Sequence, residues 1–331
     1  MRIGIAISRT SSIEPTWTTA HLIRAAAARG HEVRLIEPWD YEIDHRGNIV
    51  ARAWSIPTGD FSLEALTLNL RTRHTGRCYV ELSGLDVLLL RINPLDNAVI
   101  TFALMVEAMG VPVLSRPASL LKTSHKAYLA TLEGVPRPRT MVSRSPGALR
   151  AFADSLGDSV VVKPARSSGG RGVQWIRNLR SQQLEDAILE SRRRGDGYVV
   201  VQEYLPEAEA GEKRLVWLDG ELLGGYLRRR APGEFRHNLA RGGLPDPCAI
   251  EPGDLEIVNA VTPHLRKDGV WLAGLDVIGG RVVEVNTLNP GGVHLIQHFT
   301  GEDLAGRMVT WLENRILVPA PAEQQILEQS T

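Results

Sequence analysis

Four short apolar runs, two of them followed by helical patterns, occupy the first third of the chain. The runs cover residues 2–8, 32–36, 86–91 and 112–114, and the helical patterns cover 18–29 and 98–109. Each helical pattern is followed directly by a glycine, Gly30 or Gly110, as at a helix C-terminus. Short apolar strands that alternate with helices favour a parallel sheet. The sequence therefore predicts an α/β fold with a doubly wound parallel sheet over residues 1–121.

The character of the chain changes after residue 121. Pro136, Pro138 and Pro146 indicate a connection. Beyond it, β-rich runs at 160–163, 172–176 and 198–204 flank one helical stretch at 181–194. This order predicts an α+β part with a small lobe at 122–202, a large lobe at 203–318 and a polar tail at 319–331.

Composition excludes several classes of protein. Lys plus Arg and Asp plus Glu number 38 each, so no overall field attracts nucleic acid or an anionic membrane. The arginine triplets at 192–194 and 228–230 read as a solvated helix end and a strand. Two cysteines and nine scattered histidines support neither a disulfide framework nor a zinc site. Without a signal peptide pattern or an 18-residue apolar run, we expect a cytoplasmic protein.

Oxygen-bearing side chains cluster in one predicted hairpin near the C-terminal end. Asp276 precedes the turn at Gly279–Gly280, and Glu284 and Asn286 alternate with valines after it. Hard oxygen ligands without nearby histidine or cysteine suit Mg²⁺, which is usually completed by water and substrate phosphates. A three-residue loop over 279–281 is expected to pair Asp276 with Glu284 on one face. The alternative is an ordinary solvated hairpin face.

Further segments suit a nucleotide. A glycine-rich loop at 167–172 follows the strand that contains Lys163, and Lys126 precedes another predicted helix. Such loops present backbone N–H groups to phosphate oxygens, and an ammonium group adds charge neutralisation. The polar segment 236–243 is interpreted as a mobile loop over a site, with a simple surface excursion as the alternative.

The order of these segments resembles the ATP-grasp superfamily. From residue 1 to about 316 the chain resembles more closely the bacterial-type glutathione synthetases. The segments that carry this resemblance are 91–96, 115–120, the Asn238-Leu239-Ala240-x-Gly-Gly loop and the Gly274-Leu275-Asp276-x-Ile-Gly hairpin. The resemblance implies a two-lobed ATP-grasp fold after the N-terminal sheet.

The resemblance also implies a role for each matching residue. Phosphates of ATP would be bound by Lys126, Lys163, Ser168, Gly169 and Gly170. Glu203 and Leu205 would hold adenine through their backbones, and Glu212 would hold the ribose. Two Mg²⁺ ions, or Mn²⁺ in their place, would bind Asp276, Glu284 and Asn286. Arg214 and Arg236 would steady the transferring phosphoryl group, under a loop that contains Asn238.

The implied reaction joins a carboxylate to an amine through an acyl-phosphate, with ATP as the phosphoryl donor. The partners would be small molecules, an amino acid or short peptide and an amine, with no nucleic acid or membrane. A homo-oligomer, dimer or tetramer, is expected. The same chemistry on a different substrate pair, or a nucleotide-binding regulator without turnover, are the alternatives.

The chain departs from the family where substrate would bind. After the predicted metal-binding strand the family usually has Asn-Val-Thr-Ser-Pro-Thr, whereas this chain has Asn286-Thr287-Leu288-Asn289-Pro290-Gly291-Gly292. Bare backbone at the two glycines would leave room for a larger acceptor. Arg91 would bind a substrate carboxylate, and Trp17 an apolar group. These departures predict weak or absent glutathione formation and better turnover on another pair.

Overall fold

The computed structural model describes residues 1–157 and 159–318. The chain forms two compact units. The first comprises Met1–Ala118 together with residues 296–318, and the second comprises Ser119–Leu295.

The first unit is built on a seven-stranded sheet. Its strands are β1 (Arg2–Ile7), β2 (Glu32–Ile36), β3 (Tyr41–Ile43), β4 (Ile49–Ile56), β5 (Arg77–Glu81), β6 (Val87–Arg91) and β7 (Val113–Leu114). The order is β3-β4-β2-β1-β6-β7, with β5 on β4. The four predicted apolar runs are confirmed as the parallel strands β2-β1-β6-β7. The antiparallel strands β3, β4 and β5 were not predicted, because charged residues interrupt their apolar pattern.

Ten helices are formed within the described residues. They are α1 (Thr18–Ala28), α2 (Leu63–Thr72), α3 (Asn97–Ala108), α4 (Pro117–Thr123), α5 (Ala127–Ala130), α6 (Pro146–Leu156), α7 (Gln183–Arg192), α8 (Pro252–Lys267), α9 (Val293–Thr300) and α10 (Leu304–Leu317). Both helices predicted in the first unit are present as α1 and α3.

The C-terminal helix α10 packs against α1 in the first unit. Glu313 on α10 accepts hydrogen bonds from Arg29 Nη1 at 2.8 Å and lies 2.8 Å from Nε2 of His31. From the sequence, this segment was predicted to belong to the large lobe at 203–318. Its contacts with α1 join it to the first unit instead. No local sequence pattern predicts that the chain returns to this unit. The predicted tail at 319–331 lies outside the described residues.

The second unit contains two antiparallel sheets. One has the strands β8 (Thr140–Ser143), β9 (Val160–Pro164), β10 (Gln174–Ile176) and β11 (Val199–Glu203), in the order β10-β9-β11-β8. Helices α6 and α7 cover it, and alternate valines of β9 and β11 enter their shared core. The predicted helix over 181–194 is confirmed as α7.

The other sheet carries most of the candidate site. Its strands are β12 (Glu212–Leu218), β13 (Glu221–Arg229), β14 (Leu244–Pro247), β15 (Leu272–Ile278) and β16 (Arg281–Asn286). They follow the order β14-β13-β12-β15-β16, and helices α5 and α8 contribute to the core on one face, around Trp217. No helix of the described residues is long and apolar enough to cross a membrane.

Candidate active site

The hairpin of β15 and β16 brings the Asp276 and Glu284 side chains to one cleft. Its turn has two residues, Gly279 and Gly280, both with positive φ as in a type I′ turn. A regular ladder from this turn would put the acids on opposite faces. A bulge at Val283 restores the pairing of Asp276 with Glu284. The predicted pairing is therefore confirmed, but the predicted three-residue loop is wrong, because the extra residue lies in the strand.

Asp276 is the most heavily contacted carboxylate of the cleft. Arg214 donates to it from Nε at 2.6 Å and from Nη2 at 3.2 Å. Arg228 lies 2.6 Å from Oδ1, and the amide of Asn286 donates to Oδ2 at 3.1 Å. Burial by itself would raise the pKa of Asp276, but the two guanidinium groups hold that pKa well below its usual range. Asp276 is therefore a buried anion.

Arg228 joins Asp276 to a second, partly buried carboxylate, Glu212. Glu212 on β12 and Arg228 on β13 are opposite each other, and their side chains form an ion pair. Burial raises the pKa of Glu212 to about 7, and the charge of Asp276 adds to this effect while Arg228 opposes it. The sequence pattern predicted Arg228 as part of a strand, with no role in the site. The sequence does not show that Arg228 lies opposite Glu212. That position follows from the register of β12 and β13.

Glycine makes room for the Arg214 guanidinium. A Cβ on Gly274 would lie 2.8 Å from Arg214 Nη1, so a side chain there would displace the guanidinium group. The same nitrogen donates to the Gly291 carbonyl at 3.2 Å. Gly292 has a φ of +129°, and a Cβ there would lie 3.0 Å from Val216 Cγ2. Arg214 therefore lies between β15 and the Gly291–Gly292 segment.

Two lysines, Lys163 and Lys126, lie close to the Glu284 carboxylate. Lys163 is 6% exposed, and its Nζ donates to Gln202 Oε1 at 2.9 Å and to the carbonyl of the bulged Val283 at 3.3 Å. Burial, together with repulsion from Lys126, lowers the pKa of Lys163, while Glu284 opposes that shift. Lys126 Nζ lies 2.8 Å from Glu284 and 2.7 Å from the Ser167 carbonyl. Both predicted lysines thus lie beside Glu284.

Two loops meet over this region. Arg236 Nη1 donates to the Gly170 carbonyl at 3.0 Å. A Cβ on Gly170 would lie 2.4 Å from Asn238 Oδ1, so a side chain there would displace Asn238, and the φ of +70° also favours glycine. Glu234 accepts three hydrogen bonds from Arg236, and these bonds lower the pKa of Glu234 to about 2. The segment 236–243 therefore lies over the site and contacts the glycine-rich loop.

The cleft between the two sheets encloses a cavity volume of about 100 Å³. Nine of the predicted residues line it: Lys163, Gly170, Glu203, Leu205, Glu212, Arg236, Asn238, Asp276 and Glu284. Val161, Ile278 and Val283 add apolar surface. Such a mixture of apolar walls and convergent charges is typical of a cofactor or substrate site.

An aromatic stack at one end of the cleft was not predicted. The rings of Trp175 and Tyr204 are stacked with centroids 4.3 Å apart, and Phe235 lies 6.3 Å from Trp175. Arg177 lies over the outer face of this group, 4.1 Å from the Trp175 ring. Trp175 lies close after the glycine-rich loop in sequence, but nothing in that spacing indicates its contact with Tyr204.

Other predicted residues lie outside the cleft lining. Ser168 accepts a hydrogen bond from Arg171, and Gly169 has a φ of +63° beside it. Asn289 has the left-handed φ of +45°. Arg91 belongs to the first unit, where it is 2% exposed and its Nε donates to Thr19. Burial lowers the pKa of Arg91 to about 9.

The oxygen ligands present suit a divalent cation. Asp276 and Glu284 face the same cleft from opposite positions of the hairpin, and Asn286 contacts Asp276. Among the described residues no group of three or more His, Cys, Asp or Glu side chains can hold a metal alone. Two carboxylates and an amide are the set that Mg²⁺ uses when substrate phosphates complete its coordination.

Comparison with known proteins gives the family. The model of the prokaryotic glutathione synthetase N-terminal domain matches residues 1–120, and that of its ATP-grasp domain matches residues 125–301. Glutathione synthetase of Synechococcus elongatus is 30% identical over 327 residues, 95% of this chain and 98% of the relative. That of Thermosynechococcus vestitus is 31% identical and covers 94% of this chain and 99% of its own length.

Solved structures share the fold. D-cycloserine synthetase superposes with a TM-score of 0.67 at 18% identity over 95% of this chain and 99% of its own. D-alanine–D-alanine ligase of Bacillus anthracis, solved with ATP, gives 0.57 at 17% identity over 94% and 95%.

Taken together, the two-sheet cleft, its lysines and its paired carboxylates are those of an ATP-grasp ligase, a class that uses ATP with a divalent metal ion. Within this class, the chain belongs to the prokaryotic glutathione synthetase family. It is an ATP-dependent ligase that forms an amide bond.

Proposed function

We propose that the cleft binds ATP with two Mg²⁺ ions and activates the carboxylate of an amino acid or short peptide. The observation that carries the proposal is the pairing of Asp276 with Glu284 beside Lys163 and Lys126. Anionic and cationic groups alternate there, as the binding of a metal–polyphosphate complex requires.

The apolar end of the cleft is the proposed adenine site. The Glu203 N–H already donates to the Arg139 carbonyl at 2.9 Å, so it is engaged within the protein. The Glu203 carbonyl and the Leu205 N–H then provide the acceptor and the donor that an adenine edge needs. Val161 and Ile278 enclose the ring, and Glu212 accepts from the ribose hydroxyls.

The charged end is the proposed site of phosphoryl transfer. Asp276, Glu284 and Asn286 would hold the metal ions, which when bound neutralise phosphate charge. Lys163 and Lys126 bind phosphate oxygens, and Arg214 orients the transferring group next to the Gly291 carbonyl. The loop around Arg236 and Asn238 excludes water from the acyl-phosphate, which the amine then attacks.

Replacing Lys163 with alanine is expected to reduce turnover by about 100-fold, because a buried cation that stabilises transition-state charge is lost. Steady-state phosphate release from ATP measures the effect. Lys267→Ala, which removes an exposed lysine of α8, is the matched control and should retain normal turnover. Turnover of Lys163→Ala close to that of the control would remove Lys163 from the mechanism.

We further propose that the substrate pair differs from γ-glutamylcysteine and glycine, the pair that the relatives' name, glutathione synthetase, implies. Gly291 and Gly292 support this, because the Gly291 carbonyl contacts Arg214 and the positive φ of Gly292 favours glycine. The two positions lack the side chains that would narrow the acceptor site. An acceptor larger than glycine fits this reading.

Phosphate release measured across a matrix of amino acids and γ-glutamyl dipeptides tests the substrate proposal. We expect weak or no release with γ-glutamylcysteine and glycine, and saturable release with another pair. Efficient, saturable glutathione synthesis would refute this part and leave the ligase itself intact. Absence of release with every pair would favour the nucleotide-binding regulator.

We also propose a cytoplasmic location for the protein, because the ligase reaction depends on ATP.

A further inference from the structure

Two partly buried side chains of the second unit, His125 and Asp196, form a hydrogen-bonded pair next to Lys126. His125 Nε2 lies 3.0 Å from Asp196 Oδ2. The Ala127 N–H donates to the other ring nitrogen of His125, Nδ1, at 3.1 Å. A backbone N–H can only donate, so Nδ1 is the acceptor and the proton of the neutral imidazole is on Nε2. The ring of His125 therefore donates to Asp196.

Asp196 connects this pair to the glycine-rich loop. It lies between α7 and β11, and its Oδ1 accepts from the Tyr198 N–H at 3.2 Å. Arg166, just before the loop at 167–172, donates from Nε to Asp196 Oδ2 at 3.3 Å. Burial by itself would raise the pKa of Asp196, but its hydrogen bonds with the Tyr198 N–H and with His125 lower it. Asp196 is therefore an anion shared by two other segments of the chain.

Lys126 lies between these contacts and the proposed phosphate site. Its N–H donates to the Ala165 carbonyl at 3.2 Å. Its Nζ lies 2.7 Å from the Ser167 carbonyl and 2.8 Å from Glu284. Helix α5, which follows Lys126, has only four residues and is too short to be rigid by itself. The position of Lys126 therefore depends on tertiary contacts such as those of His125.

We propose that His125 and Asp196 are positioning residues that hold the Lys126 ammonium where a phosphate of ATP binds. This inference rests on the proposed function, in which Lys126 binds a phosphate oxygen. The Ala127 N–H orients the imidazole and Asp196 anchors it. Because His125 directly precedes Lys126, an anchored imidazole fixes the backbone from which the lysine side chain extends. Asp196 also binds Arg166, so the lysine and the glycine-rich loop keep their relative position.

Two substitutions of His125 separate its two hydrogen bonds. Asparagine places its amide oxygen near the position of Nδ1, where it accepts from the Ala127 N–H but does not reach Asp196. Glutamine places its amide N–H group near the position of Nε2 and keeps the bond to Asp196. His125→Asn and Asp196→Ala are each expected to bind a non-hydrolysable ATP analogue about 10-fold more weakly, because a hydrogen bond to a charged group is lost. His125→Gln should retain most of the affinity.

A double-mutant cycle distinguishes positioning from a general loss of structure. In a Lys126→Ala background, His125→Asn should cause no further loss of affinity, because the group that His125 positions has been removed. Asp154→Ala, which breaks a surface ion pair of α6 with Arg150, is the control and should bind the analogue normally. Isothermal titration calorimetry in the presence of Mg²⁺ measures each affinity, and urea denaturation checks that each variant is folded.

Three results would overturn the proposal. The first is an affinity of His125→Asn and Asp196→Ala equal to that of Asp154→Ala. The second is a loss in His125→Asn that is equally large with and without Lys126, and the third is a His125→Gln variant as weak as His125→Asn. Failure of the proposed function gives a different result, because Lys126→Ala itself would then bind the analogue normally and leave nothing for His125 to position.

Discussion

Turnover of the Glu284→Gln variant is expected to fall by 100- to 1000-fold, a loss of about 2.7–4 kcal/mol of transition-state stabilisation. The change keeps the shape of the side chain but removes the charge that faces the cleft opposite Asp276. It also removes the anion that holds Lys126 at 2.8 Å. Initial rates of phosphate release at saturating ATP and substrates measure the effect.

The control for this variant is Glu256→Gln, the same chemical change at an exposed position of α8. It should leave turnover unchanged. The apparent affinity for Mg²⁺, obtained from turnover against metal concentration, should weaken only in Glu284→Gln. Near-normal turnover at low Mg²⁺ in that variant would show that Glu284 holds no catalytic metal.

Arg228→Met is expected to lower the unfolding free energy of the ligand-free protein by about 3–5 kcal/mol. Arg228 is 4% exposed and is the buried cation between Asp276 and Glu212. Methionine fills much of the volume but leaves the buried Asp276 and the partly buried Glu212 short of positive charge. Urea denaturation followed by circular dichroism measures the loss.

The neighbouring Arg229→Met is the matched control for Arg228→Met. Arg229 is exposed and forms a surface ion pair with Asp246, so its replacement should cost less than about 1 kcal/mol. Saturating Mg²⁺ and ATP should recover part of the stability lost in Arg228→Met, because bound cations replace the missing charge. Equal stabilities for the two variants would contradict the role of Arg228 as the central buried cation.

The site was predictable from sequence as a set of residue types more than as a geometry. The types of side chain present indicate binding of a metal ion and of phosphate. They are the hard oxygen groups of Asp276, Glu284 and Asn286 and the lysines that precede them in the sequence. Their pairing across the hairpin was also predicted. The structure achieves this pairing by a bulge at Val283 and not by the predicted three-residue loop. A bulge depends on contacts of the whole sheet, whereas turn rules consider only the residues of the loop.

Contacts between distant segments were beyond the reach of the sequence. The stack of Trp175 on Tyr204 and the bridge of Arg228 between Glu212 and Asp276 each join strands that local patterns do not align. The contact of Asn238 with Gly170 also joins two loops far apart in the chain. Only strand order and register determine such neighbours.

By itself, the sequence determined the parallel strands β2-β1-β6-β7, the helices after β1 and β6, and the residue types of an ATP-grasp site. These features depend on local hydrophobic periodicity and on the chemistry of individual side chains. The tertiary structure decided the antiparallel addition of β3, β4 and β5, the return of α10 to α1, and the partners of each buried charge. A buried ion finds its partner through packing in three dimensions, so its energy and pKa depend on neighbours that lie far away in the chain.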